Sequence, residues 1–134
     1  MNEPDEPEWL TTPIVIAIHD EQLAIHGGSA GLRDETLLES ALGRPRNKRA
    51  YEGAELAELA AAYGYGIARN HPFVDGNKRT GFVVGVLFLE LNGYRFTASE
   101  EAAAQAVLEL AAGTLEEKGS CEFLRANSKR TRAR

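Results

Sequence analysis

The chain has 134 residues, enough for one hydrophobic core and too few for two ordinary domains. Its 43% hydrophobic and 26% charged residues sit near globular averages and exclude the disordered and fibrous classes. A net charge of −5, from 15 Lys and Arg against 20 Asp and Glu, argues against direct nucleic-acid binding as the main role.

Glu3, Asp5, Glu6 and Glu8 crowd the first residues, so 1–10 reads as an acidic N-terminal tail. It has no apolar stretch after a basic start, which points away from a secretory signal. Thr11-Thr12-Pro13 announces the first helix, with a threonine as cap and proline at the first position, and Gly27-Gly28 ends it. His19 and His26 lie on this helix at i, i+7, the wrong spacing for the i, i+4 pair of a zinc helix. Gly27 to Gly31 is glycine-rich but does not match G-x-G-x-x-G and reads as a helix end and turn.

Asp34 is expected to cap a short second helix, DETLLESAL, which Gly43 and Pro45 stop. RPRNKRAY then reads as a polar, basic connector. A third helix, from about Ala54 to Arg69, carries Leu56, Leu59, Tyr63 and Ile67 along one face. The stretch NKRTGFVVGVLFLELNG is apolar on nearly every side and predicts a helix buried at the centre of a bundle. Gly81 and Gly85 would let a neighbouring helix approach closely, and Gly93 supplies a left-handed end. Its apolar run, Phe82 to Leu89, falls well short of the ~20 residues needed to cross a bilayer, so no membrane association and a cytoplasmic location are expected.

Tyr94-Arg95-Phe96 leaves room for one short strand. Thr97-Ala98-Ser99-Glu100 and Thr114-Leu115-Glu116-Glu117 read as capping boxes that open a fifth and a sixth helix. Cys121, alone, cannot form an internal disulfide and is expected to be a small, half-buried hydrophobe. Residues 127–134, with Lys129, Arg130, Arg132 and Arg134, read as a solvated basic tail. The expected fold is an all-α, single-domain bundle of about six helices over 11–126, with little or no β-structure.

Chemistry concentrates in His71 to Thr80, HPFVDGNKRT, between the third helix and the buried fourth. At a helix N-terminus the unpaired backbone N–H groups and the helix dipole favour an anion, most commonly phosphate. Gly76 allows close backbone approach, while Lys78 and Arg79 add charge, the arginine in a bidentate fork. Asp75 would repel phosphate unless a cation such as Mg²⁺ bridged them. His71 titrates near neutrality and can take a proton from a hydroxyl, and Phe73 anchors the loop in the core. Base, metal ligand, anion nest and phosphate clamp together describe phosphoryl or nucleotidyl transfer. A Walker A loop is excluded: Asn77 separates Gly76 from Lys78, Arg79 follows where Ser or Thr is needed, and a helix precedes.

The decapeptide resembles the signature of the Fic/Doc family, His-x-Phe-x-Asp/Glu-Gly-Asn-Gly-Arg in Fic proteins. Lys replaces the last Gly in the Doc branch, the death-on-curing toxins of toxin–antitoxin modules, and Lys78 stands there here. GLRDETLLESALGRP and LELNGYRFTAS are also similar to Doc stretches, so that the likeness runs from about Ile14 to Leu124. It implies His71 as general base, Asp75 as Mg²⁺ ligand, Gly76 and Asn77 as phosphate cradle, and Arg79 as phosphate clamp. It further implies ATP as donor, γ-phosphate transfer to a protein hydroxyl because Lys78 blocks the usual nucleotide placement, and elongation factor Tu as target. In Fic proteins the segment before the third helix aligns the target by strand addition, which implies a target contact at Arg46 and Asn47. AMP transfer of the Fic kind and a binding module without turnover stand as alternatives. Many Fic relatives carry an inhibitory helix, Ser/Thr-x-x-x-Glu-Gly/Asn. Here Glu52 is the one Glu followed by Gly or Asn, and Lys48 stands four residues before it. The resemblance therefore implies restraint by a separate Phd-type antitoxin.

Overall fold

A computed structural model describes residues 6–131. Six helices follow in order: α1 (Thr12–His26), α2 (Glu35–Glu52), α3 (Leu56–Asn70), α4 (Asn77–Leu91), α5 (Glu100–Ala112) and α6 (Glu117–Ala126). A two-stranded antiparallel ribbon, β1 (Tyr94–Phe96) with β2 (Ser128–Arg130), completes an otherwise all-α bundle. None of the helices described is long and apolar enough to cross a membrane.

The centre is a pair of helices. α4 is the apolar helix expected there, burying Val84, Phe88 and Leu89, and α3 shares the position. Besides Leu56, Leu59, Tyr63 and Ile67, α3 buries the small residues Ala60, Ala61, Ala62, Gly64, Gly66 and Ala68, so α2, α4 and α6 can all pack on it. Gly81 and Gly85 do bring the two backbones together: a Cβ on Gly81 would lie 2.5 Å from the Gly64 carbonyl oxygen, and one on Gly85 2.9 Å from that of Ala60.

α1 begins and ends where the sequence says, although Thr11 caps it without a side-chain hydrogen bond. Asp34 caps α2 through the Leu37 amide at 3.0 Å. α2 does not stop at Gly43 and Pro45. It runs on to Glu52, and Gly53, at φ 64°, is its left-handed cap. Tertiary contacts override the two local breakers: Pro45 is buried, Arg44 pairs with Glu117 at 2.6 Å, and Arg46 lies over the Trp9 ring at 5.1 Å. The Arg49 guanidinium then closes the helix by donating to the Ala54 carbonyl at 2.8 Å.

Both expected tails are partly structure. Leu10 is buried and its amide donates to the Tyr63 hydroxyl at 3.0 Å, while Trp9 stacks on Phe88. At the other end Ser128–Arg130 is a strand, leaving Arg132 to Arg134 outside the described residues, as are Glu3 and Asp5. The caps of the last two helices also shift: Ser99, accepting from the Ala102 amide, starts α5, and Glu116 precedes α6 with no side-chain cap.

Candidate active site

α3 ends in an unusual conformation. His71, its C-cap, has φ 50° and ψ 54°, the only positive φ outside glycine among the described residues. Such backbone is uncommon for a non-glycine residue and persists only where neighbours hold it. Arg33 does so: its Nε donates to the His71 carbonyl at 2.7 Å and an Nη to that of Asn70 at 3.1 Å, which also neutralises the carbonyl end of the helix. The backbone around Arg33 pairs with the loop as well, Leu32 bridging antiparallel to Phe73. The amides of Arg33 and Asp34 donate to the Pro72 carbonyl, and that of Val74 to Gly31.

Asn77, buried, ties the loop from inside. Its Oδ1 accepts from the Phe73 amide at 2.9 Å, and its Nδ2 donates to the Phe73 carbonyl at 3.0 Å and faces His71 Nδ1 at 3.4 Å. The Asn77 side chain is therefore a loop brace, which leaves its backbone amide as the part of the residue available to a phosphate cradle at the start of α4. Phe73 is the buried anchor the sequence suggests.

Gly76, at φ 78°, turns the chain into α4. No side chain caps the first turn and no acidic residue lies in it. Lys78 and Arg79 stand there instead, and cations at a helix N-terminus oppose its dipole. An anion on the open amides would reverse that unfavourable arrangement. Arg79 is half-buried and, among the described residues, forms no ion pair. Beside Lys78 a cleft of about 230 Å³ opens between α3 and the α5–α6 turn, lined by Tyr65, Arg69, Leu110, Leu115 and Glu116.

Lys78 Nζ lies 3.0 Å from His71 Nε2. Desolvation, then the positive charges of Lys78 and Arg33, lower the His71 pKa from its ordinary 6.5. The shift favours the neutral imidazole, the form a general base needs, and moves the loss of that form to lower pH than for a free histidine. Lys78→Met removes the second of the three causes, so the ring should titrate at higher pH, still below the ordinary value because burial remains. An NMR titration of His71 checks this; an unchanged midpoint would mean that Lys78 does not act on the base.

Asp75 is exposed, with Oδ1 accepting from the Gly76 amide at 2.8 Å and Oδ2 from the Ser29 amide at 3.2 Å. A carboxylate has about four lone-pair sites, so both oxygens keep acceptor capacity. No cluster of three His, Cys, Asp or Glu that could hold a metal occurs among the described residues. One carboxylate suits Mg²⁺ only when phosphate oxygens supply further ligands, and the cationic N-terminus of α4 is next to it.

Arg46 and Asn47 do not join this site. Both are exposed inside α2, where helical hydrogen bonds occupy the backbone groups that strand addition would need. Trp9, under Arg46, stacks on Phe88, and Phe88 is eleven residues along α4 from Asn77, about 16 Å at 1.5 Å per residue. His19, Ser29 and Arg33, which hold the loop, are residues the sequence does not single out for this role.

The family model described as Fic/DOC family matches residues 9–89, well over half of the chain. The chain belongs to the Fic/DOC family. It is 39% identical over 90 residues to "Protein kinase doc" of Escherichia phage P1, covering 66% of this chain and 71% of that protein. To "Toxin Doc" of Mycolicibacterium smegmatis it is 41% identical over 76 residues, 54% of this chain and 57% of that protein. Both relatives place it with the Doc branch.

Proposed function

We propose that this chain is a Doc-type toxin that transfers the γ-phosphate of ATP to a serine or threonine hydroxyl of a protein. The observation that carries the proposal is the contact of Lys78 with His71 at the open N-terminus of α4, where a base and a phosphate-binding cation share one site. His71 Nε2 takes the hydroxyl proton as the hydroxyl oxygen bonds to the γ-phosphorus, the bond from that phosphorus to the β–γ bridging oxygen breaks, and ADP leaves. For this, Lys78 has to turn from His71 to the phosphates, so nucleotide binding frees the base. The amides of Asn77 and Lys78 and the Arg79 guanidinium hold the phosphate oxygens. Asp75 is the residue that would hold Mg²⁺, which would supply neutralisation of the charge on the phosphate chain.

The names of the two relatives support a protein kinase and a toxin. On the family resemblance the target is elongation factor Tu and the restraining partner a Phd-type antitoxin. Lysate incubated with the chain and ATP labelled at either phosphorus should acquire label on protein from the γ position. Label from the α position would mean AMP transfer of the Fic kind, and none from either would leave a binding module. Growth arrest on expression, relieved by a small co-expressed neighbour that co-purifies, is the expected cellular result; a harmless chain without such a neighbour would contradict the toxin function.

A further inference from the structure

His19 is 1% exposed, lies on α1, and has no part in the transfer step. Its Nε2 is 2.7 Å from the backbone carbonyl oxygen of Asp75, 56 residues away. Its ring stacks on Phe73 with centroids 3.8 Å apart and planes 8° from parallel. The same ring floors Gly76: a Cβ there would come 3.8 Å from Cδ2 and Nε2. A carbonyl oxygen only accepts, so Nε2 carries a proton and donates it to this bond. Nδ1, 3.9 Å from the Asp20 carboxylate, is too far for a hydrogen bond. One donor and one flat face are therefore what the fold takes from this residue, and both are spent on the loop that carries Asp75.

We infer that His19 is a positioning residue for Asp75, fixing its main chain while the Ser29 and Gly76 amides fix its carboxylate, so that the carboxylate is aimed before Mg²⁺ and nucleotide arrive. A residue needed only for packing would serve as well without the donor. Gly28 lies against the same carboxylate: its φ of 121° is one that side chains rarely adopt, and a Cβ there, 2.9 Å from Asp75 Oδ2, would push the carboxylate aside. The inference rests on the Mg²⁺-dependent phosphate transfer proposed above and goes beyond it in assigning a residue of α1 to the metal-binding carboxylate.

Calorimetry with ADP, in the presence and absence of Mg²⁺, separates the two. In the wild type, Mg²⁺ should increase ADP affinity; if it does not, the role of Asp75 itself is wrong. His19→Phe keeps a ring to stack on Phe73 and loses the donor. It should keep the metal-free ADP affinity and the melting temperature near wild type, while metal affinity read from that increment falls about 10- to 100-fold, the usual effect of losing an outer hydrogen bond. His19→Gln, which can still donate, should recover much of the loss. An undiminished increment in folded His19→Phe would overturn the inference. Should that variant fail to fold, the wild type carries the test: the His19 Nε2–H resonance must be visible and must shift when Mg²⁺ and ADP are added together, but not with ADP alone. A resonance indifferent to Mg²⁺ would also overturn it.

Discussion

Replacing His71 by alanine should slow phosphate transfer by about 10²–10⁴-fold, the usual range for loss of a general base, and leave nucleotide binding intact. The imidazole faces Lys78 from the end of α3, whereas the amides and cations that would hold the donor on the proposed function start at Asn77, in α4. Burial and two nearby cations favour the neutral ring, the form in which it would act as base. The substitution spares the hydrogen bonds from Arg33, which go to main-chain carbonyls. Asp75→Ala should behave differently, abolishing transfer together with the Mg²⁺-dependent part of ADP affinity. Single-turnover transfer from γ-labelled ATP, set beside calorimetry with ADP, distinguishes the two. Equal loss of nucleotide affinity in both variants would contradict the separate roles.

The candidate residues of the decapeptide from His71 to Thr80 lie within ten positions, so the sequence shows them together without any long-range contact. What holds the loop it does not show. The contacts from His19, Ser29 and Arg33 span 56, 46 and 38 residues, and neither periodicity nor local composition reports such distances. The tie from the Asn77 side chain to the Phe73 backbone is likewise not visible in the sequence, because it depends on the burial of that side chain. In the fold, Gly81 and Gly85 declared a close helix crossing, since few other uses explain two glycines in an apolar helix. Gly43 and Pro45 misled, because a breaker signals only the local preference. The Arg44–Glu117 pair, the burial of Pro45 and the Arg46–Trp9 contact come from distant elements and outweigh it. The strand partner of Tyr94–Phe96 lies beyond α6, where basic residues suggested a free end.

Gly81→Ala should destabilise the fold severely and disturb the site with it. The added Cβ would stand 2.5 Å from the Gly64 carbonyl oxygen and 3.3 Å from its carbon, and the reciprocal contact from Gly64 to the Gly81 carbonyl oxygen is 2.8 Å. These are backbone atoms of two central helices, so no rotamer change relieves the clash and α3 and α4 must part. Overpacking typically costs about 1–3 kcal/mol, and a contact with nothing flexible in it belongs at or above the top of that range. At about 4 °C per kcal/mol for a domain of this size, the melting temperature should fall by roughly 12 °C. The damage should reach the candidate site because Gly64 lies two turns before His71 and Gly81 one turn after Lys78, so this crossing bears on the distance between those two side chains. The His71 ring should then titrate closer to its ordinary range, as Lys78 moves away. Gly43→Ala, inside α2 with open space around its Cβ, is the matched control and should be neutral or stabilise by about 0.5–1 kcal/mol. Thermal melts followed by circular dichroism, with NMR titration of His71, read both effects. If Gly81→Ala melted like Gly43→Ala, the α3–α4 crossing would not be the contact that holds Lys78 against His71.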